Sequence, residues 1–158
     1  MILYHGSNVE IESIDLSRSS VGKDFGCGFY LTASREQAER MGRRKARLYG
    51  GEMVISTFEF DERAAREAGL NIKDFLSYSK EWADFVLANR ENGTRTQIHN
   101  FDIVHGPTAN DDVSFQIRRL LAGIITIDTF LEELKYKEGL TYQYFFATDL
   151  SIKFLKKL

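Results

Sequence analysis

Apolar positions change their period several times along this chain, and each change marks an element. Met1-Ile2-Leu3-Tyr4-His5 reads as a short strand stopped by the turn-forming residues Gly6-Ser7-Asn8. Residues 9–24 are polar and irregular, after which Gly28 to Thr32 predicts a second strand entered through a glycine run. Ser34 with Gln37 three residues on has the form of a capping box, and good helix formers continue to Tyr49 before Gly50-Gly51. Residues 53–61 alternate β-branched and aromatic side chains as a strand does, and a short acidic, alanine-rich helix follows over 62–68. Trp82, Phe85, Val86 and Asn89 share one face at helical spacing, which predicts an amphipathic helix over 79–90 with Trp82 and Phe85 in the core. A strand over 101–105 is closed by Gly106-Pro107, and helices over 111–121 and 128–136 each open on an aspartate suited to capping. A strand over 142–147 then leads to Thr148, which caps a last helix running to the terminus.

Strands and helices mix without the regular alternation of a doubly wound sheet, so the pattern predicts an α+β fold. The 158 residues are 43% hydrophobic and contain no repeat or low-complexity linker, enough for one domain over 1–158. Lysine plus arginine number 21 against 23 aspartate plus glutamate, which excludes a whole-surface attraction for nucleic acid; such a substrate would be held locally. The single cysteine, Cys27, excludes an internal disulfide and a multi-cysteine zinc site, and the cytoplasm is the expected location. No signal-like run opens the chain, and its longest apolar stretch, around Leu120 to Ile127, is interrupted, so no membrane partner is expected.

Three strand-borne polar residues carry candidate chemistry. His5 followed by Gly6 offers an imidazole and a bare backbone amide to one ligand. Tyr30, beside the glycines at 26 and 28, can give a ring face to a flat heterocycle. Gln143 lies on the last strand. Spacing does not select these from other polar residues: His5 could satisfy a neighbouring carbonyl, Tyr30 could be core, and Gln143 could sit on an exposed strand face. Cys27 with His5 or His105 as base would form a thiol nucleophile, yet no local signature accompanies it and a residue between two glycines needs only to be small. His99, Asp102 and His105, spaced by three, fall on alternating faces of an extended segment, which disfavours a metal site. Asn110 and Asp111 suit a helix cap and a site equally.

The stretches LYHGS (3–7) and DFGCGFYLT (24–32) resemble the first two signature segments of the ADP-ribosyltransferase superfamily. Its poly-ADP-ribose-polymerase branch carries similar His-Gly-Ser/Thr and Phe-Gly-x-Gly-x-Tyr strings. The whole chain is similar to a family of small bacterial domains of unknown function assigned to that superfamily, through EWADFVLANR (81–90), FDIVHGPTANDD (101–112) and QYFFATDLSIKFL (143–155) in the same order. The resemblance implies a split, bent pair of small β-sheets with flanking helices and a central NAD cleft. It gives His5 a ribose hydroxyl, Gly6 the nicotinamide carboxamide, and Tyr30 the nicotinamide ring, with Ser7, Gly28 and Phe29 beside them. Gly26 and Gly28 would let the backbone turn beside the dinucleotide.

In the superfamily a late-strand glutamate grips the ribose 2′-hydroxyl; here Gln143 stands at that position, able to hydrogen-bond but uncharged and unable to act as a base. Met41 stands where polymerase-like relatives carry a second aromatic, and its thioether can pack on a ring for ~0.3–1.5 kcal/mol. The implied activity is transfer of ADP-ribose from NAD to a macromolecular acceptor, protein or nucleic acid, with His5, Tyr30 and Gln143 catalytic. The alternative is a catalytically weak or inactive module that binds NAD or ADP-ribose. Small free-standing bacterial members further imply a toxin or defence effector whose cleft an antitoxin partner would shield. The basic run Arg40, Arg43, Arg44, Lys45 and Arg47 is either a solvated helix face or a patch for the NAD pyrophosphate or a nucleic acid.

Overall fold

The first strand does not stop at His5. In the computed structural model, which describes residues 1–135 and 139–158 and Asp111 by its backbone alone, β1 runs Ile2–Ser7. It pairs antiparallel with β3 (Val54–Phe60), placing Gly6 opposite Ile55 and Ser7 opposite Val54. The turn expected at 6–8 is overridden because Gly6 answers a packing demand. Helix α1 (Arg35–Tyr49) crosses β1 so closely that a Cβ at residue 6 would overlap the Ala38 carbonyl. The far edge of β3 takes β7 (Leu155–Lys157), completing a sheet of order β1-β3-β7. This replaces the predicted C-terminal helix. Thr148 does cap a helix, α6 (Asp149–Ile152), through a reciprocal capping box with Ser151, but that helix is four residues long. Beyond it the Phe154 carbonyl accepts from the Asp61 amide at 3.2 Å and the Leu158 amide donates to the Thr57 carbonyl at 3.0 Å, so the edge of β3 draws this segment into the sheet.

A second sheet has the order β2-β6-β5-β4, from β2 (Phe29–Leu31), β6 (Tyr142–Phe146), β5 (Ile103–Pro107) and β4 (Ile72–Asp74). Its ladders are antiparallel except β4–β5, a parallel pair that requires a crossover, which α3 (Lys80–Glu91) lies within. Strand β4 is too short to show a period and was not expected. Helix α1 is capped by Ser34, whose Oγ accepts from the Gln37 amide at 3.2 Å; the Gln37 side chain does not return to Ser34 but bridges Thr32 (2.8 Å) and Thr108 (2.9 Å). Helix α2 (Glu62–Glu67) is capped by Asp61, and α3 by Ser79. Asn110 rather than Asp111 caps α4 (Asp111–Leu121), and Thr126 rather than Asp128 caps α5 (Ile127–Leu134). The end expected for α5 at Tyr136 lies outside the described residues.

Among the described residues there are thus two small sheets and six helices, an α+β architecture. Alternation along the second sheet divides its contacts between two cores. Val104 and Phe145 pack with Phe25, Trp82, Val86, Val113, Ile117 and Phe130 beneath the helices. Leu31, Ile103, Tyr144 and Phe146 pack against Leu3, Phe58 and Phe60 of the first sheet. Trp82 is fully buried, as its helical spacing predicts, and its Nε1 donates to the Pro107 carbonyl at 3.2 Å. No helix among the described residues is long and apolar enough to cross a membrane.

Candidate functional site

Among the described residues, the two sheets are joined along their edges by a single backbone bridge. The Tyr4 amide donates to the Thr32 carbonyl at 2.8 Å, and the Thr32 amide returns to the Tyr4 carbonyl at 3.0 Å. Backbone groups of alternate residues in a strand point the same way, so the N–H and C=O of Gly6 also point away from β3, toward the line of β2. In a continued ladder they would meet Tyr30. The Tyr30 carbonyl instead accepts from His5 Nδ1 at 2.8 Å. The strands part here, and the imidazole occupies the acceptor that the Gly6 amide would otherwise use. A backbone donor and acceptor at Gly6 therefore face the divergence.

The hydrogen bonds fix the tautomer of His5. A carbonyl only accepts, so Nδ1 carries the proton; Nε2 is bare and accepts from the Lys45 ammonium at 3.4 Å. The ring stacks on Phe29 with centroids 4.7 Å apart. Burial first, then the Lys45 charge, lowers the pKa of His5 to about 4, against a smaller upward pull from the Tyr30 carbonyl. The imidazole is neutral at neutral pH.

Tyr30 points to the other side of β2 from Phe29, packing on Phe145 (4.9 Å) and Phe25 (6.4 Å). Its hydroxyl accepts from the Phe25 amide at 3.0 Å and donates to the Gly26 carbonyl at 2.8 Å, closing the loop before its own strand. Burial, and then the charge of Asp24, push the phenol well above its ordinary range, so it stays protonated. Gln143 shares this face and is 9% exposed. Its Nε2 donates to Asp24 Oδ2 at 2.9 Å. Asp24 Oδ1 is held by Arg90, through Nε at 2.8 Å and a terminal nitrogen at 2.6 Å, and Arg90 also reaches Ser114 at 3.2 Å. A carboxylate only accepts, so the amide nitrogen must face Asp24 and Oε1 remains as the acceptor that Gln143 can offer.

The chain matches, over residues 1–157, the family model described as Protein of unknown function (DUF3990). It belongs to that family. A search of curated proteins finds no match.

In this DUF3990 chain the remaining candidates are placed as follows. A Cβ at Gly28 would overlap the Phe145 ring, and Gly26 has a φ of +104°, so what approaches these glycines is the protein's own packing. Ser7 is buried within β1. Met41 is 45% exposed on α1, and the rings packed on Tyr30 are those of Phe25 and Phe145. The Cys27 thiol is directed to the Ser20 carbonyl at 3.5 Å rather than to a histidine. His99 donates through Nε2 to the Phe25 carbonyl at 2.8 Å, Asp102 accepts from the Asn71 amide and the Thr148 hydroxyl, and His105 pairs with Asp74 at 3.4 Å, so the three do not converge. Asn110 is a cap, its side chain accepting from the Val113 amide at 3.1 Å, while the Asp111 side chain lies outside the described residues. Two surface depressions of about 520 and 590 Å³ are lined by other residues.

Asp24 and Arg90 were not anticipated. A signal was present, since Asp24 is a charge set directly against the Phe-Gly-x-Gly run and Arg90 closes the segment EWADFVLANR, but neither charge shows its partner until the loop and α3 are packed together.

Proposed function

We propose that the chain binds NAD at the divergence of β1 and β2 and transfers its ADP-ribose to a macromolecular acceptor, releasing nicotinamide. The observation that carries this reading is the parting of the strands at His5, Gly6 and Tyr30. A neutral imidazole spans the gap while a backbone N–H and C=O, the complement of a carboxamide, face it. The ordered resemblance to the ADP-ribosyltransferase superfamily supports the same assignment.

In the reaction so proposed, the bond between ribose C1′ and the nicotinamide nitrogen breaks and the electron pair leaves with the ring. The sugar becomes oxocarbenium-like and is attacked by the acceptor's nucleophile, whose proton passes to solvent. Gly6 would hold the departing carboxamide. His5 Nε2 would accept from a ribose hydroxyl after Lys45 yields its place. Gln143 Oε1 would accept from the 2′-hydroxyl. The charge of Asp24 behind the amide polarises it toward that oxygen, supplying part of what a carboxylate would give the developing cation.

A second reading is favoured by the same contact. With no carboxylate at residue 143, the site would bind NAD or ADP-ribose and turn it over slowly or not at all. Incubation with NAD labelled in its adenylate, with cell extract as acceptor, tests both. Nicotinamide release and label transfer, both lost in His5→Ala, are expected of the enzyme; binding without release indicates the module, and absence of binding overturns both. A toxin role with a shielding partner predicts growth arrest on expression, relieved by His5→Ala.

A further inference from the structure

The basic run on α1 is not uniform. Arg40 is bonded to Glu36 at 2.6 Å and Arg43 to Glu39 at 3.0 Å, pairs at helical spacing on the exposed face. Lys45 differs. It is half-buried, its hydrogen bond goes to the neutral His5 ring at 3.4 Å, and no carboxylate among the described residues lies within ion-pair distance of its ammonium. The charge of a second cation, Lys23, on the loop just before Asp24, also bears on it; Lys23 is exposed and likewise has no ion pair among the described residues. Burial and Lys23 together hold the Lys45 ammonium below the usual lysine range. A charge taken partly out of water is normally met by an opposite charge, and a half-buried ammonium held only by an uncharged ring, with the charge of a second lysine bearing on it, forms an arrangement that an anion completes.

We infer that Lys45, held at His5 and assisted by the charge of Lys23, forms a binding site for a phosphate-type anion, and that its occupant is the diphosphate of a dinucleotide. Phosphoryl oxygens accept several charge-assisted hydrogen bonds at once, which suits two flexible ammoniums better than one carboxylate does. Position favours the same ligand: Lys45 touches one nitrogen of His5 while the other holds the Tyr30 carbonyl at the strand divergence, so an anion at Lys45 lies one side chain from the Gly6 amide. The identity of the occupant rests on the NAD reading above; the existence of the anion site does not.

Calorimetric titration with inorganic pyrophosphate at low salt tests the site. The unaltered chain is expected to bind saturably, Lys45→Met to weaken binding at least about tenfold, Lys23→Gln to weaken it less, and Arg40→Gln, whose partner is Glu36, to leave it unchanged. Removing a half-buried charge that lacks a counter-ion should also raise the melting temperature of the unliganded protein while cancelling the rise that pyrophosphate produces. No binding by the unaltered chain, equal loss in Arg40→Gln, or a lowered unliganded melting temperature in Lys45→Met overturns the inference. Titration with NAD separates the two claims. Pyrophosphate binding that depends on Lys45 without NAD binding keeps the anion site and sinks the NAD reading; NAD binding with affinity unchanged in Lys45→Met keeps the NAD reading and overturns the dinucleotide diphosphate as the occupant.

Discussion

Gln143 and Asp24 form a pair whose chemistry constrains both partners. A glutamate at 143 would set a second carboxylate where the amide nitrogen now donates at 2.9 Å, beside an aspartate already held by Arg90. Gln143→Glu is therefore expected to destabilise the fold by about 2–3 kcal/mol, and Asp24→Asn in the same chain to recover most of that by supplying a donor. Urea unfolding of the two single variants and the double variant gives the coupling. Tyr30 is tested differently. Tyr30→Phe keeps the ring on Phe145 but leaves the Phe25 amide and the Gly26 carbonyl without their partner, a loss of about 1–3 kcal/mol by the same measurement. Persistence of NAD binding in that variant would show that the ring, not the hydroxyl, meets the ligand. As candidates, His5, Tyr30 and Gln143 were legible in the sequence, singled out from other polar residues only through resemblance. Their bonding was not, because Asp24 lies 119 residues from the amide it holds.

Elements with local signals were legible and those defined by their neighbours were not. Helix α1 has its start written in Ser34 and its end in Gly50, and both stand where the sequence puts them. Strands β4 and β7 have three residues each and exist because β5 and β3 present open edges, information held elsewhere in the chain. Gly6 shows how one residue can carry both kinds of information. Read locally it is a turn former; in the fold it is the space through which α1 approaches β1. Gly6→Ala should cost about 3 kcal/mol or more, seen as a fall in the urea midpoint, since the new methyl would displace helix backbone rather than a movable side chain. Loss of activity in that variant would report on packing before it reported on any ligand.

Across the whole molecule, the titration of three histidines sets a common direction. Burial is the leading cause that lowers His5, to about 4, and also lowers His99 and His105. An unfolded histidine binds a proton near its ordinary value of about 6.5, so below that pH the unfolded chain takes up protons that the folded one refuses. Stability should be full above about pH 6.5 and decline as pH falls toward 4, with His5 contributing up to about 3 kcal/mol. Chemical denaturation across that range in the unaltered chain and in His5→Gln measures it. A variant that keeps the whole slope would remove His5 from the account.

The Tyr4–Thr32 bridge has a further consequence for motion. Two amides close the only backbone stitch described between the sheet edges, so their isotope exchange gauges how often the halves breathe apart. In free protein they should exchange faster than the Phe58 and Phe145 amides deep in each ladder. An occupant lodged in the fork beyond the stitch would slow those two signals in step, giving a view of occupancy that needs no turnover at all.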